Sequence, residues 1–234
     1  MGSRGASSSI KITTLRKGEE PYYGTINDEE HIKLVEESRQ QWGEDIKYQK
    51  GYVRTGISFD VNEALRNLDD DVDATKVDLG SKNDWGSGEK WDFNNITNNM
   101  DILTSQPITG GKARLLTRFV GSNWAKNVFG TTDINQIKEF VGHEFKEKGF
   151  MSTSSVPSSN VFTARPYRIE IEAGAKTRGF VADNKWESEV VLPRNSRFKV
   201  KSIDSKNGQY VIRVKVMDTP DNGKGKTFKE VLHR

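Results

Sequence analysis

Tyr167-Arg168-Ile169-Glu170-Ile171-Glu172 alternates large apolar or aromatic side chains with charged ones without a break. Successive side chains of an extended chain point to opposite faces, so this period of two describes a strand with one face buried and one in water. The pattern recurs downstream: Phe198 and Val200 alternate with Lys199 and Lys201, and Tyr210, Ile212, Val214 and Val216 fill every second position beyond Asn207-Gly208. Asn-Gly suits the positive-φ positions of a tight hairpin turn, which makes these two runs antiparallel neighbours. Shorter runs at 113–120, 150–153 and 189–192 add further strands.

Upstream the period changes. Over 27–42, Ile32, Leu34, Val35 and Trp42 interrupt a polar background as the single apolar stripe of a surface helix. Asp60-Val61-Asn62-Glu63 has capping-box spacing and predicts a second helix through Ala64-Leu65-Arg66-Asn67-Leu68. A third is expected over 93–103 and a fourth over 133–147, with Asp133 and Gln136 as cap partners. The stretches 69–91 and 218–226 lack periodicity and read as loops. Helices first, then a mostly antiparallel β-rich half, is an α+β arrangement.

With 234 residues and 33% hydrophobic content the chain can bury a core, and one domain over 10–234 is the economical reading. Residues 1–9, rich in Gly and Ser, read as a flexible linker or cloning scar. The 36 basic and 33 acidic side chains leave a net charge of +3, far from the one-sided basicity of a nucleic-acid binder. No apolar run approaches the roughly 18 residues of a membrane span, and no charged-then-apolar leader opens the chain. With no cysteine, disulfides, thiolate nucleophiles and sulfur-ligated metals are excluded, and the chain can pass between oxidising and reducing compartments without covalent trapping. His31, His143 and His233 are too scattered to suggest a metal site.

Three polar clusters lie in or beside strand-forming runs: Arg118 within Leu115-Leu116-Thr117-Arg118-Phe119-Val120, then Ser152-Thr153-Ser154, then Glu187-Ser188-Glu189. On a strand, Glu187 and Glu189 would share a face, and like charges so close need a cationic or hydrogen-bonding partner or a raised pKa. Taken alone, such a pair is better explained by a solvated strand edge, and Ser152-Thr153-Ser154 by a polar turn. Arg118 alone fits a surface ion pair, and Arg114, four residues earlier on the same face, is its rival.

Taken together and in order, these clusters resemble the Arg, Ser-Thr-Ser and Glu-x-Glu motifs of bacterial mono-ADP-ribosyltransferase toxins, in the branch that includes the enzymatic components of actin-modifying binary toxins. Asn62-Glu63-Ala64-Leu65-Arg66 is similar to the upstream Asn-x-x-Leu-Arg helix of that family, and Phe162-Thr163-Ala164-Arg165-Pro166 to its nicotinamide- and phosphate-gripping loop. The resemblance runs from about Tyr52 to about Ile203. It implies two antiparallel-rich sheets forming an NAD cleft flanked by N-terminal helices, with NAD as substrate and no metal.

The resemblance implies a role for each residue. Arg118 and Arg165 would meet the diphosphate, since a guanidinium offers paired, permanently charged hydrogen bonds. Phe162 would stack on nicotinamide, and Asn62, Phe119, Thr153 and Ser154 would complete the NAD contacts. Ser152 would orient Glu189, whose carboxylate would stabilise the oxocarbenium-like centre formed as nicotinamide leaves. Glu187 would activate an acceptor arginine on a host protein, and Phe180 or Trp186, in the stretch before it, would touch that protein. The branch makes actin the leading target and points to a secreted or injected effector acting in the host cytosol, with a delivery component as a further partner.

Two departures stand out. Ser58 occupies the place where binary-toxin relatives have a tyrosine, for which Tyr52 is the nearby substitute, and Phe119 follows Arg118 in place of a second basic residue. Two other readings remain: an NAD glycohydrolase, with water in place of arginine, and a noncatalytic adaptor that keeps the fold.

Overall fold

The computed structural model describes residues 24–53, 56–83, 88–157, 162–184, 186–206 and 208–230. The linker expected at 1–9 and Asn207 of the expected hairpin turn lie outside them. The helical half comprises α1 (Asp28–Trp42), a 3-10 turn (Gly43–Gln49), α2 (Lys50–Val53), α3 (Ile57–Arg66) and, after two short strands β1 (Ser81–Asn83) and β2 (Lys90–Asp92), α4 (Phe93–Leu103). Then come β3 (Arg114–Val120), α5 (Ser122–Phe129), α6 (Ile134–Lys138), β4 (Glu144–Glu147), β5 (Met151–Ser154), β6 (Tyr167–Ala173), β7 (Phe180–Val181), β8 (Glu189–Leu192), β9 (Ser196–Lys206) and β10 (Gln209–Asp218). The architecture is α+β.

Eight strands follow the order β4-β9-β10-β6-β3-β5-β8-β7, and every pair but β10/β6 is antiparallel. Between β3 and β5 the ladder shrinks to the single pair Thr117↔Ser154. Five strands on one side and three on the other therefore meet at one narrow joint within a single eight-stranded sheet, where two separate sheets were expected. Ser154 is also paired with Glu189 of β8, so Thr117, Ser154 and Glu189 form one row across the joint.

Two apolar clusters lie on opposite faces of the sheet, and alternate residues of β8 point to each: Val190 and Leu192 to the first, Val191 to the second. Leu116, Ile169, Ile171, Phe198, Ile212 and Val214 from the larger group pack with Trp124, Phe129 and Ile137 of α5 and α6. Tyr52, Val61, Leu65, Ile96 and Met100 of the N-terminal helices pack on Phe150, Phe180 and Val191. The alternation in Tyr167–Ala173 is thus a core-facing row, as its period demands.

Several expected boundaries move. α1 starts with a capping box in which Asn27 accepts from Glu30 N and Glu30 caps Asn27 N. α3 begins at Ile57, so Asp60 is no cap; it lies in the first turn and pairs with Lys82 at 2.8 Å. The helix expected over 133–147 stops at Lys138, although Asp133 does cap it, through Asn135 N. Glu144–Glu147 instead alternates exposed and buried residues and pairs with β9. Within the expected loop 69–91, Ser81–Asn83 pairs with Lys90–Asp92.

Candidate active site

Arg118 projects from β3 beside the joint and donates from Nη1 to the Ser152 carbonyl on β5 at 3.0 Å, linking strands that no longer share a ladder there. Burial draws its pKa below the usual value, against the pull of Glu147 and with Arg66 and Arg165 adding to the local positive field. Glu147, 2% exposed, accepts from Arg66 Nε at 2.8 Å, Trp124 Nε1 at 3.1 Å and Gly149 N at 3.0 Å. Arg66 Nη2 is buried without a hydrogen-bond partner among the described residues. Three guanidiniums within each other's electrostatic reach form a setting for a polyanion.

Ser152 stands at the centre of a hydrogen-bonded chain. Its hydroxyl contacts both the Tyr52 hydroxyl and the Glu189 carboxylate. An ionised carboxylate only accepts, so Ser152 donates to the ionised Glu189, and the Tyr52 hydroxyl stands in reach of both Ser152 and the Phe150 carbonyl, 3.5 Å away. Asn62 Nδ2 in turn donates to Tyr52 Oη at 2.8 Å. Burial pushes Tyr52 up to about 12, which keeps it a neutral donor. Aligned chains of this kind reinforce each other in a low-dielectric setting.

Asn62 is 6% exposed, and its Oδ1 accepts from Phe150 N at 2.7 Å, so its carboxamide braces the start of β5. A Cβ on Gly149 would fall 2.7 Å from that oxygen, so glycine is required for the close approach. The Thr153 hydroxyl donates to Val190 O at 2.6 Å, binding β5 to β8. Ser154 Oγ is within reach of both Glu187 O at 2.6 Å and Val156 O at 2.7 Å, anchoring the turn that precedes β8.

The two glutamates differ in their setting. Glu189 begins β8 at 4% exposure; burial raises its pKa to about 7, with Asn184 and Ser152 hydrogen bonds opposing and the charge of Glu187 assisting the rise. Asn184 Nδ2 donates to Glu189 Oε2 at 3.0 Å. Glu187 is half-buried and also raised by burial, while Arg165 and Arg118 pull it back. It lies on the turn before the strand, so the expected common strand face does not exist. What carries the chain from one carboxylate to the other is Ser188, 1% exposed and at φ 46°, a left-handed step that is rare for a non-glycine residue.

Phe162 and Arg165 share a turn in which Arg165 N donates to Phe162 O at 3.0 Å. The guanidinium lies 3.9 Å from the centre of the Phe162 ring, and Nη1 donates to Phe119 O at 3.1 Å. Phe119 itself is 5% exposed, so it supplies a carbonyl while its ring is buried. Phe180, 1% exposed, faces the core and offers no surface to a partner; Trp186, 76% exposed, does. Arg114 is 5% exposed and donates to Thr109 O and Lys112 O, away from this cluster. The sequence reading left out Arg66 and Asn184, although Arg66 ends the quoted Asn62-to-Arg66 motif.

A family model described as ADP-ribosyltransferase exoenzyme matches residues 96–221. That span holds Arg118, Ser152, Glu187 and Glu189, and leaves out Tyr52, Asn62 and Arg66. No curated protein sequence matches. Among solved structures the chain is similar to the C3 exoenzyme of Clostridium limosum, with 17% identity and a TM-score of 0.61, over 84% of this chain and 98% of that one. It is similar to C3stau2 of S. aureus with NAD at 14% identity and a TM-score of 0.63, again over 84% and 98%. The enzymatic component C2-I of the Clostridium botulinum C2 toxin shares 14% identity and a TM-score of 0.58, over 83% of this chain and 47% of that one. At these identities the structural likeness is one of fold.

Proposed function

Given that this chain belongs to the ADP-ribosyltransferase exoenzyme family, we propose that it is a single catalytic domain that transfers ADP-ribose from NAD to an arginine of a host protein and releases nicotinamide. One observation carries the reading: a buried carboxylate, Glu189, is held between Ser152 and Asn184 within the field of Arg118, beside the joint between β3 and β5. The site offers cations for a diphosphate and an anion for a cationic sugar, and NAD cleavage asks for both.

In this scheme Arg118, Arg66 and Arg165 take the diphosphate oxygens. The bond between ribose C1′ and the nicotinamide nitrogen breaks, its electron pair leaves with neutral nicotinamide, and C1′ becomes an oxocarbenium-like cation. Glu189 accepts a hydrogen bond from the ribose 2′-hydroxyl and stabilises that charge, which exists only near the transition state. The hydrogen-bonded chain from Asn62 through Tyr52 and Ser152 fixes its orientation before substrate arrives. Phe162 stacks against the departing ring.

A guanidinium nitrogen of the acceptor then bonds to C1′ and gives up a proton. Glu187, half-buried and raised by burial, is the base that takes it. Motif likeness makes arginine the acceptor and actin the leading target, with Trp186 as the contact to the host protein. The setting is a secreted or injected effector acting in the host cytosol. Incubation with adenine-labelled NAD and either purified actin or a host lysate tests this directly: label on an arginine of protein supports it, and label found only in free ADP-ribose points to a glycohydrolase.

A further inference from the structure

Helix α1 carries a histidine into the floor of the carboxylate turn. His31 is 1% exposed, and its Nδ1 lies 2.8 Å from Ser155 Oγ. Ser155 is itself 1% exposed, and both its backbone N, at 2.9 Å, and its hydroxyl, at 3.1 Å, donate to the carbonyl oxygen of Ser188. With the hydroxyl proton directed to Ser188 O, Ser155 Oγ is left to accept from His31 Nδ1–H, and this is the assignment that the relay requires. In that assignment the neutral imidazole takes its less common tautomer, with Nδ1 protonated and Nε2 bare. Nε2 is buried with no hydrogen-bond partner among the described residues, and burial draws the ring down to about 4, so it is neutral at pH 7.

The carbonyl at the end of this relay belongs to the residue in the left-handed conformation. Ser188 has no glycine's freedom, so its φ of 46° persists because the surroundings impose it. The peptide that carries Ser188 O also carries the amide of Glu189. A second grip comes from outside the turn: Asp183 accepts from Arg39 of α1 at 2.9 Å, and Asp183 N donates to Gln49 Oε1 at 2.9 Å. Every one of these contacts lies at the turn between β7 and β8.

We infer that His31 is a positioning residue for the transfer reaction: through Ser155 it holds the Ser188 carbonyl, and with it the left-handed step between Glu187 and Glu189. The inference rests on the function proposed above. His31 touches neither substrate nor the reacting carboxylates, so its loss reduces turnover while leaving the arginine-lined diphosphate side intact.

Two measurements test it, one of them independent of activity. In 15N-labelled protein at pH 7, with the His31 signals assigned by their loss in His31→Asn, the relay requires a protonated Nδ1 and a bare Nε2; a protonated Nε2 with bare Nδ1 overturns it. In nicotinamide-release kinetics, His31→Leu is expected to lower kcat by about tenfold with KM for NAD within about twofold of the parent. His31→Asn, whose amide nitrogen falls near the Nδ1 position, recovers most of that loss, and Ser155→Ala added to His31→Leu lowers kcat no further than the worse single variant. Equal losses in His31→Leu and His31→Asn, or additive losses in the double variant, overturn the inference. A parent protein that leaves NAD intact would contradict the proposed function, while the nitrogen shifts would still decide the relay.

Discussion

Asn184 donates its side-chain amide to Oε2 of Glu189 at 3.0 Å, so the loop that leads into the carboxylate pair reaches back to hold the second of the two. This hydrogen bond favours the ionised carboxylate and works against the burial that raises it to about 7. Asn184→Ala removes that support, and the Glu189 pKa rises further. With the ionised form as the active one, the acidic limb of kcat/KM moves to higher pH by about half to one unit, the worth of a single hydrogen bond to a charged group. Activity near pH 9 stays close to that of the parent. A limb that does not move assigns Asn184 to loop structure alone.

His31 and Glu189 impose opposite pH dependences on stability. His31 falls from 6.5 to about 4 on folding through burial, with Asp28 opposing and Arg114 assisting, so the unfolded chain binds the extra proton between those values. Its contribution is complete above pH 6.5 and is lost as pH falls toward about 4. Glu189 rises from 4.5 to about 7, so its contribution is complete below 4.5 and is lost as pH climbs toward about 7. Each shift corresponds to a change of order 3 kcal/mol. From pH 4.5 to 6.5 the two slopes largely cancel. Glu189→Gln exposes the histidine slope and is expected to melt above the parent at pH 8; His31→Asn exposes the glutamate slope, with stability falling as pH rises. Urea titrations at pH 5 and 8 check this, and parallel pH profiles in all three proteins would contradict it.

Arg118→Lys is expected to raise KM for NAD by about tenfold or more, because an ammonium cannot reproduce the paired fork and cannot also reach the Ser152 carbonyl. Arg114→Lys leaves KM close to the parent value, since its guanidinium is bound to Thr109 O and Lys112 O. Steady-state kinetics on both variants decide the matter; a larger KM effect at Arg114 would reverse the assignment.

The strands readable in advance include those with strict alternation, β6, β9 and β10, because one apolar face of each meets the core, and the shorter apolar runs of β3, β5 and β8. β4 escaped because its inward positions are Phe145 and Glu147, and a buried glutamate reads as a surface residue until its partners Arg66, Trp124 and Gly149 are known. β1 is exposed throughout, so backbone pairing alone defines it and no side-chain pattern records it. At the site, Arg118, Ser152 and Glu189 were legible as motif residues. His31 was not, since it acts through Ser155, 124 residues away, and Ser188 hides its left-handed step in a residue type that seldom takes one. Phe180 and Trp186 looked alike as aromatics ahead of Glu187, and burial separates them.

The division of labour between Glu189 and Glu187 is the central claim, and one paired assay tests it. Nicotinamide release and protein labelling are measured together for the parent, Glu187→Gln and Glu189→Gln, each first shown to fold. Glu189→Gln is expected to lose both activities by about three orders of magnitude, since it removes charge stabilisation present mainly in the transition state. Glu187→Gln is expected to abolish protein labelling while retaining appreciable nicotinamide release. Equal loss of both activities in Glu187→Gln, or full activity in Glu189→Gln, would contradict the account.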